Sequence, residues 1–199
     1  MGFSPVPHYA FREIIDISPD FLKGLGIEFL MLDLDNTAAS YGEHTPSDSV
    51  TRWVSSMKDC GVEMCIVSNS VRETRVDMFA DTLGIKFIKG ASKPSPKGIL
   101  KAMEAAGFCP CVSAFVGDQV YTDALAANRA GIVSIVVRPR QFTNPFLALR
   151  YAAEAPFRAI SKRKMRKNQN SSLARQCCTN AARLPLRSVI KKKKDLRYE

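Results

Sequence analysis

Five short apolar runs, separated by amphipathic stretches, constrain the fold of this chain more than any other feature. Several of the runs are almost continuously apolar, which is typical of strands in a parallel sheet that is covered on both faces. They span residues 27–32, 62–67, 85–88, 112–116 and 132–137. The pattern predicts one strand for each run.

The stretches between the runs carry the start and stop signals of helices. Thr45 is a candidate cap with Pro46 in the first turn behind it, and Ser18 with Pro19 opens a shorter leading helix. Glycines stand where four helices are expected to end, at positions 61, 84, 107 and 131. The alternation predicts an α/β fold with a doubly wound, mostly parallel five-stranded sheet.

The positive charge of the chain is concentrated at its C-terminal end. The formal net charge is +10, yet residues 1–160 hold 16 basic and 17 acidic side chains, whereas residues 161–199 hold 13 Lys and Arg against Asp195 and Glu199. We expect one globular domain at 1–160 and a basic, mostly disordered tail at 161–199. Pro156 is expected to break the helical pattern just before this boundary.

The basic tail has two interpretations. It is a solvated extension, or it attaches the protein to an anionic membrane surface, where each Lys or Arg contributes about 1 kcal/mol. Binding to nucleic acid is possible but not favoured, because no aromatic residues are interleaved with the basic ones. The sequence does not indicate an oligomeric state.

Three observations favour a cytoplasmic protein. The six cysteines lack the C-x-x-C spacing of zinc sites and are expected to be free thiols in a reducing compartment. Acidic residues interrupt the segment before the first apolar run, so it does not read as a secretory signal. No apolar run is long enough to cross a membrane. The expected localisation is cytoplasmic, or peripheral at a membrane.

Reactive side chains follow four of the predicted strands. The segments are "DLDNT" with Asp33, "SNS" with Ser68, "SKPSP" with Lys93, and "GDQVYTD" with Asp118 and Asp123. In an open α/β sheet the ligand lies beyond the carboxyl ends of the strands, so these groups are expected to share one crevice. Carboxylates there can share Mg²⁺, and the lysine can stabilise a phosphate. The pattern indicates phosphoryl transfer.

These four segments, in this order, resemble the motifs of the haloacid dehalogenase-like phosphatases. Residues 5 to 160 further resemble the YqeG group of subfamily IIIA, which is similar to the mitochondrial phosphatidylglycerophosphate phosphatases. The resemblance implies that Asp33 is the nucleophile, that Asp35 is the general acid and then the base, and that Thr37 orients Asp35. It also implies that the phosphoryl group is bound by Ser68, Asn69 and Lys93, and that Mg²⁺ is held by Asp33, the Asp35 carbonyl, Asp118 and Asp123.

The spacing of the motifs leaves no room for a cap domain. Ser68 lies 35 positions after Asp33, and Lys93 lies 25 positions after Ser68, and each interval is filled by one helix and one strand. An open crevice suits a large substrate or a headgroup presented at a surface. The expected function is a Mg²⁺-dependent phosphatase, with phosphatidylglycerophosphate as the substrate. The alternatives are a phosphatase of soluble sugar or nucleotide phosphates, and a non-catalytic protein that binds RNA or ribosomes.

Overall fold

A six-stranded sheet, in which every described pair of strands is parallel, organises the protein. The computed structural model describes residues 4–70, 73–143 and 145–168. The strands run in the order β1-β6-β5-β2-β3-β4. Their bounds are Tyr9–Ala10, Phe29–Leu32, Glu63–Val67, Lys86–Ile88, Ser113–Gly117 and Val133–Val136. The predicted α/β fold with a doubly wound, mostly parallel sheet is confirmed.

The sheet has one strand more than the sequence predicts. The additional strand, β1, pairs with β6 through Tyr9 and Ala10 at the edge of the sheet. Two residues are too few to produce an apolar run, so β1 has no period that a sequence pattern can reveal. The other five strands lie within, or one residue beyond, the predicted runs.

Six α-helices connect and cover the described strands. They are α1 to α6, at Pro19–Gly24, Asp48–Asp59, Glu73–Leu83, Lys97–Ala106, Leu125–Ala130 and Pro145–Asn168. The Ser18 hydroxyl caps α1 by accepting a hydrogen bond from the Phe21 amide at 3.1 Å, as the sequence predicts. Helix α2 begins later than the predicted start at Thr45: Ser47 is its N-cap residue, with extended backbone angles, and Asp48 is its first residue.

Both faces of the sheet are covered, which explains the continuously apolar strands. Leu30 and Leu32 of β2 pack on the side of α2 and α3, whereas Phe29 and Met31 pack on the side of α4 and α5. Alternate side chains of one strand thus enter two different cores, and neither face of the strand tolerates a polar residue. The polar residues that follow these strands therefore mark the site rather than the core.

A long helix spans the predicted end of the domain. Helix α6 runs through Pro156 to Asn168, so the expected break at Pro156 is wrong and the boundary at 160 falls inside a helix. The helix continues because Glu154, Arg158 and Ser161 are buried against the sheet, and this packing outweighs the one backbone hydrogen bond that a proline removes. The predicted disorder of the tail concerns mostly residues 169–199, which lie outside the described residues.

The cysteines differ in part from the expectation of free thiols. Cys109 and Cys111 form a disulfide, whereas Cys60 and Cys65 are free. Within the described ranges, no helix has the length and apolar character needed to cross a membrane.

Candidate active site

The carboxyl ends of the central strands bring three predicted residues into direct contact. Lys93, in the loop after β4, lies 2.6 Å from Asp33 Oδ1 and 2.8 Å from Asp123 Oδ1, measured from its Nζ atom. The lysine side chain is almost fully buried and lies over the Phe115 ring at 4.9 Å from the ring centre. These groups come from segments up to 90 positions apart (33 to 123), and the parallel sheet places them at one edge.

Asp123 is held in place by its own loop and by the strand before it. Its Oδ2 atom accepts a hydrogen bond from the Gln119 amide at 3.0 Å, which leaves Oδ1 for Lys93. A Cβ atom on Gly117, the last residue of β5, would overlap the Asp123 carboxylate. The glycine of "GDQVYTD" is therefore required so that the backbone of β5 can approach this carboxylate closely.

Three buried carboxylates form a group suited to a metal ion. One oxygen from each of Asp33, Asp118 and Asp123 lies within 4.8 Å of the others. Both carboxylate oxygens of Asp118 are buried without a hydrogen-bond partner among the described residues. A buried acceptor without a partner is costly, and oxygen donors of this kind are the ligands that Mg²⁺ prefers. The side chains present thus fit a hard divalent cation.

Burial and mutual proximity strongly perturb the acid–base properties of the group. Burial raises the pKa of Asp33 to about 7; Lys93 opposes this shift, and the nearby Asp123 and Asp35 carboxylates add to it. Burial, followed by the charges of Asp123 and Asp33, raises the pKa of Asp118 well above its usual value. Burial lowers the pKa of Lys93, but the two carboxylates outweigh it, so that the pKa is raised and the lysine stays charged.

We expect metal binding to depend on pH because of this shift. Below about pH 7 Asp33 carries a proton that Mg²⁺ must displace, so the affinity should fall by up to about tenfold per pH unit for each proton released. Between its ordinary pKa of 3.8 and about 7 the folded protein binds the proton that the unfolded chain has lost, so metal-free stability should fall as pH rises through this window. Thermal unfolding with and without Mg²⁺ at pH 6 and pH 8 measures both effects. An equal Mg²⁺-induced shift in Tm at the two pH values would contradict the expectation.

Asp35 lies beside this group and is bound by a residue that the sequence did not reveal. The Arg75 guanidinium, buried in α3, forms an ion pair with the Asp35 carboxylate. Arg75 is itself held by the carbonyl oxygens of Glu43, at 2.8 Å, and of Ser40. The position of Asp35 is therefore set by a helix that begins about 40 residues later in the chain.

Thr37 does not make the contact that was expected of it. Its hydroxyl is buried and has no hydrogen-bond partner in the described parts of the chain, so no bond to Asp35 is present. The loop is stabilised instead by Asn36, which adopts a left-handed backbone conformation with φ of 61° and whose amide donates to the Ala39 carbonyl oxygen at 2.7 Å. Asparagine tolerates this conformation better than most residues.

Ser68 and Asn69 both lie at the edge of the site after β3. The buried Ser68 hydroxyl accepts a hydrogen bond from the Ser70 amide at 3.0 Å. The Asn69 side chain exchanges two hydrogen bonds with the backbone of Lys93, one from the Lys93 amide at 2.8 Å and one to its carbonyl oxygen at 3.0 Å. Asn69 thus fixes the loop that carries the lysine, and this contact differs from the phosphate contact expected of it.

Helix α6 stabilises the backbone of the site through a buried ion pair. Glu154 Oε1 accepts hydrogen bonds from the amides of Val120 and Tyr121, and its Oε2 lies 2.9 Å from Arg158. Arg158 also donates to the carbonyl oxygens of Asp118 and Val137. The four-residue spacing of Glu154 and Arg158 is the signal present in the sequence, but the same spacing is common on exposed helices.

The fold agrees with that of the haloacid dehalogenase-like hydrolases. The model of that family matches residues 9–131, and this chain belongs to the family. The resemblance to the YqeG group is confirmed: a protein described as "Probable phosphatase YqeG", from Bacillus subtilis (strain 168), is 32% identical over 142 residues, which cover 71% of this chain and 82% of that protein. Similarity to the mitochondrial phosphatases stays a prediction.

The chain is also similar to solved structures from several bacteria. An uncharacterized protein from Listeria monocytogenes serotype 4b is 18% identical, with a TM-score of 0.49, over 67% of this chain and 99% of that one. The cobalt-bound deoxy-D-mannose-octulosonate 8-phosphate phosphatase (YrbI) from Haemophilus influenzae is 18% identical, with a TM-score of 0.48, over 75% of this chain and 93% of that one.

Proposed function

We propose that the protein is a Mg²⁺-dependent phosphatase that hydrolyses a phosphomonoester through an aspartyl-phosphate. The observation that carries this proposal is the contact of Lys93 with Asp33 and Asp123, beside the unpartnered carboxylate of Asp118. A cation held by the three carboxylates would neutralise charge on the phosphoryl oxygens. The printed name of the Bacillus relative, a probable phosphatase, agrees with this chemistry.

The reaction assigns a separate task to each of two carboxylates. An Asp33 oxygen attacks phosphorus and forms a bond to it as the bond to the leaving alcohol breaks, and Asp35 donates a proton to that alcohol. Water then attacks the phosphorus of the aspartyl-phosphate, Asp35 accepts its proton, and Asp33 and inorganic phosphate are released. Lys93, which stays charged, stabilises the phosphoryl group throughout.

For the substrate we propose phosphatidylglycerophosphate, a phosphomonoester on a lipid headgroup. Two features support a headgroup over an enclosed metabolite. Among the described residues, α2 with β3 and α3 with β4 fill the intervals between the motifs, so the crevice has no cap over it. The basic residues of 161–199 suit an anionic surface. A cytoplasmic location and peripheral membrane contact stay predictions.

A phosphate-release assay tests this function directly. We expect turnover of p-nitrophenyl phosphate with Mg²⁺, loss of it in EDTA, and hydrolysis of phosphatidylglycerophosphate in detergent in preference to sugar and nucleotide phosphates. Asp118→Ala should lower kcat/KM by at least about a hundredfold, with partial rescue at high Mg²⁺, because a ligand of the cation is lost. Turnover that EDTA does not affect would overturn the metal assignment. A protein without activity on any phosphomonoester would favour the non-catalytic alternative.

A further inference from the structure

A basic cavity lies next to the catalytic loop, outside the group of acidic residues. Its volume is about 390 Å³, and Thr37 of the "DLDNT" loop forms part of its wall. Three arginines line it as well, Arg12 after β1 and Arg138 and Arg140 after β6, against one acidic residue, Glu13. A cavity of this charge, adjoining a site for a phosphoryl group, is suited to an anion.

A second basic cavity adjoins the first. Its volume is about 420 Å³, and it is lined by Arg12, Arg138, and Arg158 and Lys162 of α6, with no acidic residue among the described residues that line it. Arg158 is already neutralised by Glu154. Arg12 and Arg138 therefore lie between the two cavities and contribute positive charge to both.

The three arginines of the first cavity differ in how strongly other groups of the protein bind their side chains. Arg140 is bound to the loop, since it donates to the Ala38 carbonyl oxygen at 3.0 Å. Arg12 lies 3.8 Å from Glu13, but their side chains are 79% and 57% exposed, and water screens such a pair. The Arg138 guanidinium lies 5.8 Å from the centre of the Phe142 ring. Arg12 and Arg138 thus have the donors to bind an anion from solvent.

The wall of the first cavity is fixed to the catalytic loop. The Arg140 amide donates to the Asn36 carbonyl oxygen at 3.1 Å. The Asn36 side chain donates to the Gln141 carbonyl oxygen at 2.9 Å and accepts from the Gln141 amide at 3.1 Å. These bonds join the segment after β6 to the segment that carries Asp33. An anion in the cavity would therefore be held at a set distance from the nucleophile.

We infer that the substrate carries a second anionic group, which Arg12 and Arg138 bind in this cavity while its phosphomonoester lies at Asp33. This inference rests on the proposed phosphatase function. A guanidinium group can donate two parallel hydrogen bonds to the oxygens of an anion, and the phosphodiester of the substrate proposed above supplies such oxygens near the scissile phosphate. A lipid headgroup and a soluble phosphodiester share this chemistry.

The test compares substrates with and without the second anion. The probes are p-nitrophenyl phosphate, which lacks it, and glycerophosphoglycerol phosphate, which has both phosphates but no acyl chains. We expect Arg12→Gln and Arg138→Gln to lower kcat/KM for the second probe at least about tenfold more than for the first, since each variant loses charge-assisted hydrogen bonds to the second anion. Arg138→Lys should recover part of this loss, and Lys23→Gln, at an exposed position of α1, should alter neither probe.

A binding measurement gives a readout that does not depend on turnover. Calorimetric titration with glycerophosphoglycerol, which has the phosphodiester alone, should show binding to the wild-type protein that Arg138→Gln weakens. Preference for phosphatidylglycerophosphate over its deacylated form supports a lipid source of the anion, and equal use supports a soluble one. If the arginine variants lose kcat/KM equally on both probes, or lose none, the inferred binding of a second anion is overturned while the proposed phosphatase function stands. A wild-type protein that hydrolyses no phosphomonoester would overturn the proposed function and this inference together.

Discussion

Replacing Asp33 by asparagine should abolish turnover while leaving the fold intact. The amide keeps the shape of the side chain but cannot attack phosphorus, so kcat should fall by at least about a thousandfold, the scale on which a covalent catalyst loses its nucleophile. Steady-state assays on p-nitrophenyl phosphate measure this loss. Rapid quenching followed by peptide mass spectrometry should show phosphate on the Asp33 peptide of the wild type and none on the variant.

Stability measurements separate this effect from misfolding. The Asp33 carboxyl is buried and its pKa is raised to about 7, so at pH 8 the protein bears the cost of an unfavourable buried charge. An amide removes that charge and can still accept a hydrogen bond from Lys93. The variant should therefore unfold in EDTA at a temperature no lower than that of the wild type. Asp59→Asn, at the exposed end of α2, is the matched control and should retain full activity. Activity of Asp33→Asn within tenfold of wild type would remove the nucleophile assignment.

The central strands and the carboxylates that follow them could be predicted because local rules determine both. A strand buried on two faces must be apolar throughout, so "FLML" of β2 and "CIV" of β3 stand out in the sequence. A charged residue directly after such a strand is costly unless the site requires it, so Asp33 and Asp118 stand out as well. The parallel arrangement then brings the strand ends together without further information.

The partners of these carboxylates could not be predicted, because their positions depend on packing between distant elements. Arg75 reads as one more charged residue of an amphipathic helix, yet it is buried against Asp35 and the loop carbonyls. Glu154 and Arg158 have the spacing of an ordinary solvent-exposed pair. Only the docking of α6 on the ends of β5 and β6 turns that pair into a support for Asp118. The expected break at Pro156 failed for the same reason.

Replacing Lys93 by methionine should have the largest effect on the stability of the protein. Lys93→Met keeps an unbranched apolar stem over Phe115 but removes the cation that lies 2.6 Å from Asp33 and 2.8 Å from Asp123. Removing one partner from a buried ion pair costs about 3–5 kcal/mol, because the remaining charges are left uncompensated. Urea unfolding of the metal-free variant at pH 8 should show a loss of this size. Lys23→Met, at an exposed position of α1, should stay within about 0.5 kcal/mol of wild type.

Magnesium and a lower pH should each restore part of the stability that Lys93→Met loses, and for different reasons. A bound cation again compensates the three carboxylates, so Mg²⁺ should stabilise the variant more than it stabilises the wild type. Lowering the pH to 6 should also stabilise the metal-free variant, because without the lysine the pKa of Asp33 rises further and the carboxyl accepts a proton. Activity should not return with stability, because the variant lacks the positive charge of Lys93 that stabilises the phosphoryl group. Its kcat/KM should stay about a hundredfold or more below wild type. A variant as stable as wild type in EDTA at pH 8 would show that Lys93 does not compensate this group, and the electrostatic account of the site would then be wrong.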